Sequence, residues 1–509
     1  MRKLLIGAAL VATVIVAIPA LLIVSGTIDS SSLRMVLNVM TGLGGPQADA
    51  TTVRSRYRTA DGFSVSLYAS DLPRARFLHI TDAGDLLVSR PHAGDIVLLR
   101  RDANADGKPD AREVLIDSLQ RPLGVDTHDG WLYIAESHRV IRLPFNSASG
   151  ATHGEPEVVI DGLTDNGNHW SKTLGIGPDK RLYLAQGSTC NVCEEEDSRR
   201  ATLMRFGLDG GDAEMVATGL RNSVGFDWAP WSGELYATDN GRDLLGDDFP
   251  PCELNLIREG GFYGWPYFNG DNVPDPDMGT EPKAAERTPI APAHPFRAHN
   301  APLGIRFLDA QALPADFSRS ALVALHGSWN RSEPDGYKVV SLHFTADGIE
   351  ERDFLWGFHK DGEISGRPVD VAQGPDGAIY ISDDYAGAIY RVVYGMQDEN
   401  GNLAVKAGKP AQVAPPAWTA TADLASLASD GAALYSELGC RECHEQGENA
   451  KRLDHLTASE DYARVINSLQ APQSPMPVYP LSSEQQRALA VYVVKPGLRP
   501  NAARPATAE

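Results

Sequence analysis

The chain has 509 residues, 42% of them hydrophobic and 22% charged, the balance of a folded protein of two or more domains. Its 46 basic and 67 acidic residues give a formal charge of −21, which excludes nucleic acid and suits neutral substrates, cations or a basic redox partner. The 48 glycines and 34 prolines favour short strands, and five cysteines are too few for a disulfide scaffold.

The first element is Leu4 to Val24, an uncharged apolar run preceded by Arg2 and Lys3. Its length suits a bilayer span and the basic start an exported remainder, so residues 1–30 are expected to anchor the chain on the periplasmic side of a bacterial inner membrane. The competing reading is a cleaved signal peptide, with Ala48-Asp49-Ala50 as a small-residue cleavage pattern that leaves the chain free in the periplasm. Residues 31–58 read as a linker.

From there a phrase recurs: turn residues, then a β-rich run. It reads Asp82 to Ser89, Asp129 to Glu136, Pro178 to Ala185, Ser232 to Asp239, Ser320 to Gly327 and Pro375 to Asp383. The anchors Leu86, Leu132, Leu182, Leu235, Leu322 and Ile379 are 46, 50, 53, 87 and 57 residues apart. Repeats of roughly 40–50 residues with four short strands each build propeller blades. Residues 59–396 are therefore expected to form an all-β six-bladed propeller. Phe63 to Tyr68 would complete the last blade, and Gly260 to Asn300 reads as an insertion on one face.

Within the first repeat, Asp102, Asn104, Asp106, Lys108 (through its carbonyl), Asp110 and Glu113, with Gly107 at the sixth position, fit a twelve-residue calcium loop. Pro109 and the lack of flanking helices count against an EF-hand pair. A structural calcium loop between strands is expected, with an acidic solvated turn as the alternative. Cys190-Asn-Val-Cys193 lacks a following histidine, so a short-loop disulfide is expected there, and Cys252 is left over.

Residues 397–423 are a Gly-, Pro- and Ala-rich linker, 424–497 a small all-α domain and 498–509 a tail. Cys440-Arg-Glu-Cys443-His444 sets two thiols for thioether attachment to haem and an imidazole for its iron. A zinc site or a dithiol pair is the alternative, although zinc would want two further ligands. Met476, between Pro475 and Pro477, is the expected sixth ligand and His455 its rival. The order of helix, CxxCH, loop methionine and terminal helix resembles a small class I cytochrome c carrying haem c.

Gly167-Asn-His169-Trp, Gly177-Pro-Asp, Leu220-Arg-Asn222, Glu253-Leu-Asn-Leu-Ile257, Gly264-Trp-Pro and His326-Gly-Ser-Trp-Asn-Arg331 together resemble the glucose/sorbosone dehydrogenase family over roughly residues 60–395. These are pyrroloquinoline quinone (PQQ) enzymes on six-bladed propellers. The resemblance implies His169 as catalytic base, a task that suits an imidazole. It implies Arg221 beside the reacting centre, a hydrogen bond from Asn222, and Arg331 and Arg367 on the cofactor's carboxylates. It also implies a calcium ion held by the carbonyls of Gly241 and Arg242. Here the chain departs from the pattern, since Arg242 stands where some relatives have proline and Leu244 to Pro251 is insertion-like. The expected activity is oxidation of an aldose or related sugar aldehyde, with hydride to PQQ and electrons to haem and a respiratory acceptor. The alternatives are a calcium-dependent propeller lactonase with a fused cytochrome, and a non-catalytic sugar- or protein-binding propeller with a haem relay.

Overall fold

The computed structural model describes residues 29–40, 44–309, 313–395, 421–438, 440–445, 452–453, 456, 461–470, 481 and 483–494. The proposed membrane segment, most of the second linker, the tail, His455 and Met476 lie outside the described residues. No helix among the described residues is long and apolar enough to cross a membrane. The chain divides into two compact units, Met1–Lys406 and Ala407–Glu509.

The first unit is a six-bladed propeller. Blade one is built from Leu78–Ile80, Leu86–Arg90, Asp95–Leu99 and Arg112–Ile116; blade two from Val125–His128, Trp131–Ala135, Val140–Asn146 and Glu157–Ile160. Blade three uses Lys172–Ile176, Leu182–Gln186, Thr202–Phe206 and Glu214–Thr218, and blade four Phe226–Trp228, Leu235–Asp239, Cys252–Leu256 and His294–Phe296. Blade five uses Pro302–Phe307, Ser320–Leu325, Lys338–Thr345 and Gly348–Trp356. Blade six has Pro368–Gln373, Ile379–Asp383 and Ala388–Tyr394, and takes its outer strand, Phe63–Ala69, from the start of the ring. That closing strand runs antiparallel to Ala388–Tyr394 with Phe63 opposite Tyr394, as the alternating run at Phe63 suggests.

Each recurring phrase is the second strand of its blade with the turn that leads into it. Those strands are buried on both faces because blades stack face to face, which explains their unbroken apolar character. The core accordingly lies between blades; Leu86, Val88 and Val97 of blade one, for example, pack with Tyr380 and Ile389 of blade six.

Near the axis the inner strands approach closely, and glycine is what permits it. A Cβ on Gly225 would lie 2.2 Å from the Leu303 carbonyl oxygen, and one on Gly304 only 2.0 Å from Asp370 Oδ1. In alternate blades a carboxylate stitches the ring: Asp126 accepts from the amide of Ile176, Asp227 from Phe307 and Asp370 from Leu78, at 2.7, 2.8 and 2.8 Å. Gly304→Ala should therefore displace Asp370 and lower stability by about 2 kcal/mol, the usual cost of overpacking. A melting temperature equal to that of the native protein would contradict this account of the ring.

Two expectations are corrected. Residues 31–58 are not simply a linker: Ser30–Met40 and Ala50–Arg56 are helices, and Met35, Val53 and Tyr57 join the core of blades five and six. Asp49 caps the second helix by accepting from the amides of Thr51 and Thr52, so the small-residue pattern around it serves a helix start. Nor is Gly260–Asn300 wholly an insertion, because His294–Phe296 is the outer strand of blade four. The excursion before it pairs Gly261–Phe262 with blade three and sends Trp265, Tyr267 and Asp275 to the loops described below.

The second unit is helical, as expected, with helices Thr421–Glu437, Cys440–His444, Asp461–Gln470 and Ser483–Val494. The first and last agree with the periodicity of the sequence, whereas Asp461–Gln470 is an addition. Leu424, Ala428, Tyr435, Tyr462, Ile466 and Leu489 belong to one core.

Candidate functional site

In every blade the chain leaves the outer strand for the next inner strand, and the second strand for the third, on the same face. His169, Arg221, Asn222 and Arg367 lie in connections of the first kind, and Gly241, Arg242 and Arg331 in those of the second. Propeller topology thus gathers residues far apart in sequence onto one surface.

His169 precedes the inner strand of blade three. Its Nδ1 lies 3.0 Å from the Ser188 carbonyl oxygen and 2.9 Å from Ser188 Oγ. The carbonyl can only accept, so Nδ1 carries the hydrogen and Nε2 keeps its lone pair. Burial first, then the Arg221 and Arg200 charges, push the imidazole down to about 3, so it is neutral at pH 7. The segment is braced by Arg200, a buried guanidinium donating to the carbonyls of Thr164, Asn166, His169, Gly187 and Ser188.

Asn222 stands beside His169: a Cβ on the intervening Gly187 would be 2.5 Å from Asn222 Oδ1 and 2.6 Å from His169 Cβ. Arg221 is buried, its Nη1 donating to the carbonyls of Asn240 and Gly241 at 3.1 and 2.9 Å and its Nη2 pairing with Asp243 at 3.0 Å. The amides of Arg221 and Asn222 both donate to the Asp239 carboxylate, at 2.8 and 2.6 Å. Asp239 faces Glu253 across blade four. Burial raises both carboxyls well above their ordinary range, and the Asp239 charge raises Glu253 further.

Arg242 explains its own departure from the family pattern. Its buried side chain turns into the excursion, making two 2.8 Å bonds to Asp275 and one of 2.9 Å to Asp277. Arg331 does not present a fork to an open cavity. It donates to the carbonyls of Ala298, Asp247 and Glu333 and pairs with Asp248, so it braces the insertion-like Leu244 to Pro251 stretch. Arg367 reaches the carbonyls of His326 and Gly327 at 3.1 and 3.0 Å.

Three further groups on this face were not singled out from sequence. His326 bonds Asp384 at 2.9 Å, and Arg76 pairs with the other oxygen of that carboxylate. Burial and the Arg367 charge hold His326 down at about 4, against the pull of Asp384. His326 lies inside a motif quoted for the resemblance, but nothing in the sequence pairs it with residues at the far end of the ring.

The proposed calcium loop is not drawn together. No three carboxylates among Asp102, Asp106, Asp110 and Glu113 converge to metal-ligand distance. Asp102 accepts from the amides of Asp106 and Gly107, Asn104 from Asp106, and Asp106 from Lys108. Asp110 accepts from the amide of Ala103. Glu113 enters the outer strand of blade one and pairs with Arg100 at 2.6 Å. The loop has the hydrogen bonding of an Asx-rich turn. Cys190 and Cys193 form the expected disulfide, and Cys252 is buried in blade four. In the helical unit Cys440 and His444 line a cavity of about 180 Å³ with Tyr435, Leu453, Leu456, Val465, Leu469, Leu489 and Val493; the Cys443 side chain lies outside the described residues.

The chain has counterparts among known proteins. The TrAA12-like family model matches residues 57–249 and 273–395, and the chain belongs to that family. A protein of Borreliella burgdorferi is 36% identical over 294 residues, covering 54% of this chain and 76% of that one. The pyrroloquinoline quinone-dependent pyranose dehydrogenase of Coprinopsis cinerea is 24% identical over 410 residues, which cover 66% of this chain but only 54% of the relative. Among solved structures, the Trichoderma reesei AA12 enzyme with calcium superposes with a TM-score of 0.58 at 21% identity, covering 67% of this chain and 98% of that one. At that identity the match speaks for the shared propeller fold.

Proposed function

We propose that the loop face of the propeller oxidises a sugar, an aldose or related aldehyde, using PQQ and calcium. The observation that carries this reading is a loop face that holds Arg76, Arg200, Arg221, Arg331 and Arg367 together with neutral His169, which feels the charges of Arg221 and Arg200, in a chain of formal charge −21. The donor set fits a tricarboxylate. Arg367 would hold it, with Arg221 beside the reacting centre, while Arg331 braces the neighbouring loop. The side-chain oxygens of Asn300 and Asn330 are buried without a partner in the same loops, acceptors suited to sugar hydroxyls or a cation. An anion seated here would also offset the cationic charge that depresses His169, raising the imidazole toward a useful base strength.

In this reading His169 Nε2 takes the proton of the oxidised hydroxyl, and Ser188 keeps the ring oriented and protonated at Nδ1. Asn222 and Arg221, fixed by Asp239 through their amides, line the reacting centre. PQQ, when bound, supplies the quinone that accepts the substrate's hydride. The carbonyls of Gly241 and Arg242 would hold the calcium ion, whose Lewis acidity makes that quinone more electrophilic. A carbonyl oxygen has two lone pairs, so the bond from Arg221 does not exclude Gly241. Leucines, valines and a tyrosine around Cys440 and His444 support haem c in the helical unit, with Cys443 as second thioether and Met476 as sixth ligand. Electrons would then pass through the haem to a respiratory acceptor, with the N-terminal segment keeping the chain at the periplasmic side of the membrane.

The test is to supply the purified chain with PQQ and calcium, add a panel of aldoses and follow the reduced-haem absorbance. Reduction that requires PQQ, calcium and sugar together is expected. Calcium-dependent lactone hydrolysis that is indifferent to quinone would replace this reading with the hydrolase, and sugar binding without turnover with the relay.

A further inference from the structure

The Cys190–Cys193 bridge closes a loop between the second and third strands of blade three, and that loop touches both halves of the site. Between the two sulfurs stands Asn191. Its main-chain oxygen accepts from Arg221 Nε at 3.0 Å and from the Trp265 indole at 3.2 Å. Its side-chain oxygen accepts from Arg221 Nη2 and from the amide of Asp243, both at 2.8 Å, and its amide nitrogen donates to the Asp243 carbonyl at 3.1 Å. One residue earlier, the Cys190 carbonyl accepts from Ser188 Oγ at 2.7 Å, the hydroxyl that lies against His169 Nδ1. At the loop's near end Glu195 accepts from the amide and hydroxyl of Thr189, at 2.6 and 2.9 Å.

Asn191 is therefore the joint between blade three, the Arg221 connection, the Gly241–Asp243 loop and the excursion. Two of the five N–H donors of a guanidinium are enough to fix its plane, and Asn191 takes one on Nε and one on Nη2. A short loop with no regular structure of its own would hold such a contact poorly, and a covalent bridge across its ends removes that freedom.

We propose that Asn191, locked by the Cys190–Cys193 disulfide, is a positioning residue for Arg221, and that opening the bridge loosens the Arg221 guanidinium, leaving it on its bonds to Asn240, Gly241 and Asp243 alone. This rests on the reading of the loop face as a cofactor site. Opening is a two-electron step: a dithiol reductant passes two electrons and two protons to the bridge, leaving two thiols on the protein and itself closing to a cyclic disulfide.

His169 reports the outcome. The charges that depress it are Arg221 and Arg200, and Arg200 is held by carbonyls that do not involve Asn191. Moving Arg221 away should therefore raise the imidazole pKa while Arg200 stays in place.

The experiment uses the full chain with ¹³C-labelled histidine and no PQQ added. The native protein, the same protein treated with dithiothreitol, Asn191→Ala and the double variant Cys190→Ser/Cys193→Ser are titrated by NMR, with the His169 signal identified by its loss in His169→Ala. An upward shift is expected in each altered form, on the order of one pH unit where the bridge is opened and smaller in Asn191→Ala, which keeps the main-chain oxygen that accepts from Arg221 Nε. In PQQ- and calcium-loaded protein, kcat should fall about 10²-fold while KM changes far less, the mark of a displaced group rather than a lost binding contact. An unchanged His169 titration in folded Asn191→Ala would overturn the proposal. If native protein binds no PQQ, the functional reading fails, and the titration still decides the role of Asn191.

Discussion

His169→Ala is expected to leave PQQ binding intact and to slow sugar oxidation by about 10²–10⁴-fold, the range that separates a positioned general base from its absence. The backbone of this segment does not depend on the imidazole. Arg200 holds the His169 carbonyl and the Asn168 amide bonds Thr189, so alanine should keep the loop in place. Asn222 and Arg221 keep their link to Asp239 for the same reason. The pH profile provides a second criterion. A neutral histidine is the active form, so the native rate should fall on the acid side as the imidazole protonates, and the variant should lose that limb. Stopped-flow mixing of PQQ-loaded protein with sugar measures both. A rate equal to native, or an acid limb retained in the variant, would take the base role away from His169.

How much of this could be read beforehand depends on where each signal lay in the chain. The six blades were legible because every second strand carries the same turn and apolar run, a pattern local in sequence. Phe63–Ala69 was legible for the same reason, and closing the ring needed only a free edge at Ala388–Tyr394. The helices before Tyr57 were not, since their buried residues pack against blades five and six, elements far away in the sequence. The site divides in the same way. His169, Arg221 and Asn222 stand in short motifs and are brought side by side. Arg331 also stands in a motif, yet its donors go to a stretch of loop, 244–251, whose path no local rule gives. The pairing of His326 with Asp384 and the role of Asn191 depend on contacts between separate blades. The calcium-loop pattern was legible as a spacing of acceptors, whereas the backbone amides that Asp102 and Asn104 take depend on the path of the turn.

Lys172 is the second residue whose replacement should have a large effect, through stability rather than chemistry. It begins the inner strand of blade three, three residues after His169, and is fully buried. Its ammonium has no carboxylate bond, only the carbonyls of Thr164 and Trp170 at 3.0 and 2.9 Å. Burial, and then the charge of Arg200, lower it to about 7. In the unfolded chain it titrates near 10.4. Between those two values the unfolded state binds the proton that the folded state has shed, so stability rises with pH, by up to about 1.4 kcal/mol per pH unit for this one group. Below pH 7 both states are protonated and the penalty of the buried charge is constant; above about 10.5 both are neutral and it vanishes. Lys172→Met keeps the volume and removes the titration. Arg200 still bonds the Thr164 carbonyl, so only the Trp170 carbonyl loses a partner, a cost that does not vary with pH. Denaturant midpoints from pH 7 to 9.5 should therefore climb in the native protein and climb less in Lys172→Met, the difference between the two curves being largest at the acid end. Parallel curves would mean that Lys172 keeps its proton in the folded state at these pH values, and that the cationic charge beside His169 is one unit greater than the site described above allows.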